Sequence, residues 1–200
     1  MELLLPRRCA GCGERGEVLC PACAQELRRP PERVFTRVDP HVPVFALGPY
    51  AGAHRGVVLA MKERGDHRVR EHVGAVVAAG VRHLQARGEV PEQVVLVPAP
   101  TRARSARLRG GDPVTDVCRA AGLPVCATLQ LRAGTPDQGM LDAAGRRRNL
   151  VGRVEMGRRP TAPVVLVDDV VTTGSTMAAS VERLLAAGCV VSGAVAIAAA

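Results

Sequence analysis

The sequence predicts an α/β protein built on a parallel sheet, with a small metal-binding knuckle at its start. Three observations carry that expectation. Short Val/Leu-rich runs alternate with longer stretches of helical apolar periodicity. One such run, residues 164–167, leads straight into Asp168-Asp169 and a Thr/Gly/Ser turn. The first 30 residues hold two Cys-x2-Cys pairs, a pattern of metal ligands and not of a sheet.

Two hundred residues make one medium domain with room for a small appendage. At 47% hydrophobic the chain can bury a real core, yet it holds two Phe, one Tyr and no Trp. That core is therefore aliphatic. A surface of several aromatic rings, of the kind many single-strand binders use to stack bases, is not expected. The net charge of +8 is unevenly spread. Residues 99–160 carry twelve Arg against five acids, while residues 161–200 are net acidic. A field of that kind suits a polyanion, either a pyrophosphate or a nucleic acid, or is simply a solvated basic face. Lys62 is the one lysine among 27 basic residues. It marks a place that accepts a compact ammonium where the chain otherwise uses guanidinium. No stretch reaches transmembrane length. The Leu3-Leu4-Leu5 run is too short for a leader, and its basic residues follow it. A cytoplasmic location is expected, where structural disulfides are rare.

Taken in order, residues 1–30 contain Cys9, Cys12, Cys20 and Cys23, two pairs seven residues apart. Four thiolates at that spacing can surround one Zn2+ tetrahedrally, and a four-cysteine set leaves no open position for substrate, so the site is expected to be structural. Residues 31–41, rich in Arg, Pro and Glu, read as a linker to a domain over 42–200. A strand is expected over 42–50 and a helix over 53–64, with Val57, Val58 and Met61 on one face and Lys62 near its end. A second helix is expected over 69–86, whose stripe is Val73, Val76, Val77, Val81 and Leu84. His67, His72 and His83 show no ligand pattern. A short strand over 94–97 then meets Pro98-Ala99-Pro100-Thr101 and the cluster Arg102, Arg104, Arg107, Arg109, closed by Gly110-Gly111. A helix over 113–121 and a strand over 123–131 follow, with Cys118, Cys126 and Cys189 as small buried thiols. Residues 132–149 are polar and too long for a tight turn, and loops of that length are often functional. The strand at 164–167, a helix over 177–187 and a last strand over 190–197 complete the chain.

The turn Thr172-Thr173-Gly174-Ser175-Thr176 carries the most chemistry. A helix start offers unpaired amides and a positive dipole end, hydroxyls add donors, and Gly174 allows a close backbone approach. This is an anion cradle. Asp168 and Asp169 cannot share the same phosphate without repulsion. They suit a neutral hydroxyl-rich group or a metal ion beside it, and a sugar phosphate has that polarity. In an open α/β sheet ligands bind beyond the carboxyl ends of the strands, so the cradle and the Arg loop are expected on one edge.

Residues 168–176 resemble the phosphoribosyl pyrophosphate (PRPP) loop of the type I phosphoribosyltransferases. The wider chain resembles the ComF/ComFC family, the competence-associated relatives of those enzymes. The match runs from the four cysteines through Tyr50, Gly52 and Lys62, then Val97-Pro98-Ala99-Pro100 and Arg109-Gly110. It continues with Arg132, Thr135, Gln138, Leu141, Arg148 and Asn149, and ends on the Asp-Asp loop. Where the family often continues its Arg-Gly with Phe-Asn-Gln, this chain has Gly111-Asp112-Pro113. The resemblance implies a type I phosphoribosyltransferase-like fold and binding of PRPP with Mg2+. It puts Asp168 and Asp169, the catalytic pair, on the ribose 2′- and 3′-hydroxyls, and Thr172, Thr173, Gly174, Ser175 and Thr176 on the 5′-phosphate. It puts Lys62, Arg102, Arg104, Arg107 and Arg109 on the pyrophosphate. It further implies a link to DNA uptake in natural transformation. The chain is then either a transferase acting on an unidentified acceptor, or a non-catalytic factor binding single-stranded DNA or other DNA-uptake proteins through the same fold. No segment for recognising a nucleobase stands out, and the cysteine knuckle weighs against a plain nucleotide-salvage enzyme.

Overall fold

A computed structural model describes residues 7–62, 67–101, 111–132 and 152–200. In chain order its elements are α1 (Pro21–Leu27), β1 (Glu32–Val34), β2 (Val44–Ala46), α2 (Gly52–Lys62), α3 (His67–Ala86), β3 (Val95–Pro98), α4 (Pro113–Ala120), β4 (Leu129–Leu131), β5 (Val154–Met156), β6 (Val164–Val171), α5 (Ser175–Ala186) and β7 (Val191–Ala199). The five-stranded sheet has the order β1-β2-β7-β6-β3. Strands β2, β7, β6 and β3 run parallel, and β1 joins antiparallel to β2. Strands β4 and β5 form a separate antiparallel pair. The fold is thus α/β with a mixed, mostly parallel sheet.

Burial on both faces explains why the central strands read as continuous apolar runs. The pleat sends Val165 and Val167 of β6, with Val195 and Ile197 of β7, to one core, where they meet Val57, Val58 and Met61 of α2, Val73 and Val77 of α3, and Val117 of α4. Val164, Leu166, Ala194 and Ala196 go to the other, against Met177, Val181 and Leu184 of α5. Helices therefore cover the two faces and leave the strand ends open.

Residues 31–41, expected as a linker, contribute β1, paired in register Glu32↔Ala46 to Val34↔Val44. The knuckle also packs against the larger unit. Cys9, Ala10, Cys23 and Leu27 are buried in the same core as Val57 and Val58. The approach is backbone to backbone, since a Cβ on Gly56 of α2 would fall 2.1 Å from the Gly11 carbonyl oxygen. Glu26 of α1 accepts from the Ala53 amide at 3.0 Å and so satisfies one of the donors at the start of α2. The strand expected over 123–131 is shorter, with β4 starting at Leu129 and only Val125 bridging to Leu96. Among the described residues no helix is long and apolar enough to cross a membrane.

Candidate functional site

Alternation along β6 separates the paired carboxylates. Asp169 follows Val165 and Val167 toward α2, where its Oδ2 lies 2.6 Å from Lys62 Nζ. Asp168 follows Val164 and Leu166 toward the α5 side and lines a cleft with residues 170–177. Each carboxylate also accepts the next amide, Asp169 N–H to Asp168 Oδ1 at 2.8 Å and Val170 N–H to Asp169 Oδ1 at 2.7 Å. Burial pushes the Asp168 carboxyl up to about 7, the charge of Asp169 adds to that, and the Asp169 amide and Lys62 pull the other way. Asp168 therefore holds its proton to far higher pH than an ordinary carboxyl.

Past the carboxylates, Gly174 caps α5 in the left-handed region, with φ 83° and no side-chain cap. The amides of Thr173, Gly174, Thr176 and Met177 have no protein acceptor among the described residues. These are the orphan donors of a helix start, gathered where its dipole is positive. Thr173 Oγ1 and Ser175 Oγ lie 2.9 Å apart and can turn outward to the same acceptor. The cleft they line holds about 40 Å3 of water-accessible space. One water needs roughly 10–15 Å3 by that measure, so the room is that of a few waters or one phosphate group.

The loop is braced by a segment that sequence reasoning missed. The Val38 amide donates to the Thr173 carbonyl at 2.9 Å, and Thr36 Oγ1 donates to the Val38 carbonyl at 2.7 Å. A Cβ on Gly174 would fall 2.7 Å from Thr36 Cβ, Thr36 Oγ1 and the Val38 carbonyl oxygen. The available signal was the β-branched spacing of Val34, Thr36 and Val38 inside an otherwise Arg- and Pro-rich stretch.

Strand β3 runs beside β6 with Pro98 opposite Val167, and the Ala99 amide donates to the Val167 carbonyl at 2.7 Å. The chain that continues into the Arg cluster therefore leaves the sheet next to Asp168. Thr101 Oγ1 donates to Asp112 Oδ1 at 2.9 Å, which ties together the two ends of that segment. Asp112 also caps α4 through the Val114 amide and the Thr115 hydroxyl. Next to it, Asp116 pairs at 2.6 Å with the buried Arg70. Arg102, Arg104, Arg107 and Arg109 lie outside the described residues, as do Thr135, Gln138, Leu141, Arg148 and Asn149. Lys62 is brought to the site, but onto a carboxylate.

The four N-terminal cysteines also converge. Their sulfurs all lie within 4.8 Å of one another, and Cys12 and Cys20 are 3.8 Å apart. Zn–S bonds of about 2.3 Å imply tetrahedral edges of about 3.8 Å, so the set fits such an ion with small adjustments. Burial resists ionisation of Cys9, yet the amides of Cys20, Cys12 and Gly11 bring its thiol down to about 6. Cys23 is pushed well up by burial and by the neighbouring sulfurs. A cluster split this way can hold a metal such as zinc, whose charge would favour the remaining thiolates.

No protein-family model matches the chain, and no curated protein matches it.

Proposed function

We propose that this protein binds PRPP with Mg2+ at the carboxyl edge of its sheet, on a type I phosphoribosyltransferase-like fold. One observation carries the proposal: at the start of α5, amides with no protein acceptor among the described residues and two hydroxyls bonded to one another stand directly beside two carboxylates that face apart. A phosphate needs the first group and ribose hydroxyls the second. In this reading the amides of residues 173–177 with Thr173 and Ser175 hold the 5′-phosphate, and Asp168 and Asp169 accept from the ribose hydroxyls. Lys62 exchanges its contact from Asp169 to the pyrophosphate, which the Arg cluster reaches from the β3 side. Mg2+ arriving with PRPP would neutralise charge on the pyrophosphate. With the ligand so held, the chemistry favoured is loss of pyrophosphate from C1 and transfer of phosphoribose to an acceptor. Fixed cations then stabilise the leaving group, so positioning and electrostatics do most of the work. The cysteine cluster serves as a structural zinc site that fastens the N-terminal turn to α2. The test is ligand-induced stabilisation: PRPP with Mg2+ raises Tm, and ribose 5-phosphate, lacking the pyrophosphate, raises it less.

A second reading, single-stranded DNA binding in DNA uptake, is favoured by Phe35. Composition argues against a multi-ring platform, yet this ring is 90% exposed, with the Arg33 guanidinium 5.7 Å from its centroid, one residue before Thr36 on the loop brace. Stacking of one base there, with Arg contacts to phosphate, gives an affinity that falls steeply with salt and drops on Phe35→Ala. An affinity indifferent to both excludes this reading.

A further inference from the structure

The largest fully buried side chain among the described residues is a charged one, Arg70 of α3, at 2% exposure. Its Nη1 donates to Asp116 Oδ2 of α4 at 2.6 Å and to His67 Nδ1 at 2.9 Å. Its Nη2 donates to the Met61 carbonyl of α2 at 3.5 Å. One guanidinium thus joins the end of α2, the start of α3 and the first turn of α4.

The packing of α3 on α4 has its own support. One turn further along both helices, a Cβ on Gly74 would fall 2.6 Å from Ala120 Cβ and 2.9 Å from the Val117 carbonyl oxygen. That close backbone seam is set among the buried Val73, Val77 and Val117. An ion pair sunk beside such a seam returns little net stability, and apolar residues of similar volume serve as well or better. What a planar fork of donors adds is direction.

Both ends of the pair lead to the candidate site. The Met61 carbonyl belongs to the last turn of α2, where a helix has no internal donors left for its carbonyls. A guanidinium there answers that orphan acceptor and the negative end of the helix dipole. The next residue is Lys62, the last of α2, whose Nζ stands 2.6 Å from Asp169 Oδ2. On the other side, a Cβ on Gly111 would fall 3.2 Å from Asp116 Oδ2 and 3.6 Å from Arg70 Nη1. Gly111 leads into Asp112, which accepts from Thr101 just beyond β3 at 2.9 Å. The pair therefore abuts the helix end that carries Lys62 and the turn through which the chain enters α4.

We propose that Arg70, with Asp116, is a positioning residue for Lys62. It holds the last turn of α2 against α4, so that the ammonium stays at Asp169 on the carboxyl edge of the sheet. It touches no ligand and acts through Lys62. Its effect on ligand binding rests on the PRPP reading; its hold on Lys62 does not.

Lys62 is the one lysine of the chain, so protein grown with 13C-lysine gives a single lysine side-chain signal by NMR. The Cε–Hε resonance is recorded in the free full chain, at one pH near neutrality, for wild type, Asp169→Asn and Arg70→Met/Asp116→Leu. Asp169→Asn removes the partner and marks the position of the released ammonium. The double variant keeps the α3–α4 seam and is expected to move the signal toward that position. Calorimetry with PRPP and Mg2+ is expected to show it binding about tenfold more weakly than wild type, with ribose 5-phosphate, which lacks the pyrophosphate, within about twofold. A merely structural role weakens both ligands alike. Should the double variant not fold, Arg70→Lys keeps a cation beside Asp116 and gives up the fork, and the same two changes are expected. The proposal is overturned if the Lys62 signal of the folded variant stays at its wild-type position, if Asp169→Asn leaves that signal unmoved, or if both ligands weaken by the same factor. Failure of the PRPP reading shows separately, as a wild type that binds neither ligand while the Lys62 signal still differs between wild type and variant.

Discussion

Replacing Asp168 with asparagine is expected to stabilise the free protein at pH 8 and to lose that advantage as the pH falls toward 4. The carboxyl has its proton-binding midpoint at about 7 in the folded chain, against 3.8 for the ordinary group, because burial and Asp169 oppose its charge. Between those values the folded state holds a proton that the unfolded state has released. By linkage, stability is then highest below the unfolded value, declines as pH rises through the window, and carries the full penalty above pH 7. A gap of about three units corresponds to roughly 4 kcal/mol at about 1.4 kcal/mol per unit. Relaxation around the half-buried group and the Lys62 charge reduce this to about 2 kcal/mol as a working figure. For a chain of this length that is roughly 4–8 °C in Tm. Thermal unfolding by circular dichroism from pH 4 to 8.5, without divalent cations, measures it. No gain at pH 8, or an equal gain at pH 4, refutes the idea that Asp168 is held at a cost in the free protein.

Two further substitutions or removals probe the supports of the site. Gly174→Ala meets the Thr36 side chain and the Val38 carbonyl at 2.7 Å in a left-handed conformation, and is expected to cost about 2–4 kcal/mol in chemical denaturation. A loss under about 0.5 kcal/mol, the range of ordinary surface changes, counts against the brace. Purified protein is expected to contain one zinc per chain, and stripping it to lower Tm, because Cys9 and Cys23 sit in the core beside Val57 and Val58. Metal-free protein with an unchanged Tm contradicts a structural zinc.

The strongest sequence signals were those that depend on local pattern. The run Val164–Val167 is apolar at every position and becomes a strand buried on both faces. The Thr-Gly-Ser turn becomes a loop and helix start, as its hydroxyls and glycine dictate. What stayed hidden depends on distant contacts. Strand β1 is three residues long with two exposed positions, so it lacks the alternation of a half-buried strand, and only pairing with β2 reveals it. The brace of Thr36 and Val38 on the phosphate-cradle turn joins residues more than 130 positions apart. Lys62 stood out as the lone lysine, but nothing local said that its ammonium meets Asp169. Cysteine spacing predicted convergence of the sulfurs, and not that Cys9 and Cys23 would be part of the main core.

Isothermal titration of PRPP in the presence of Mg2+ tests the central claim most directly, with wild type beside Asp168→Asn/Asp169→Asn. The account predicts saturable binding at one site per chain. At a hundredfold excess over Kd this stabilises the wild type by about 2.7 kcal/mol, a Tm rise of roughly 5–10 °C. The double variant, shown by circular dichroism to be folded when free, is predicted to show neither heat nor shift. Wild type that binds no PRPP, or a double variant that binds it equally well, contradicts the account.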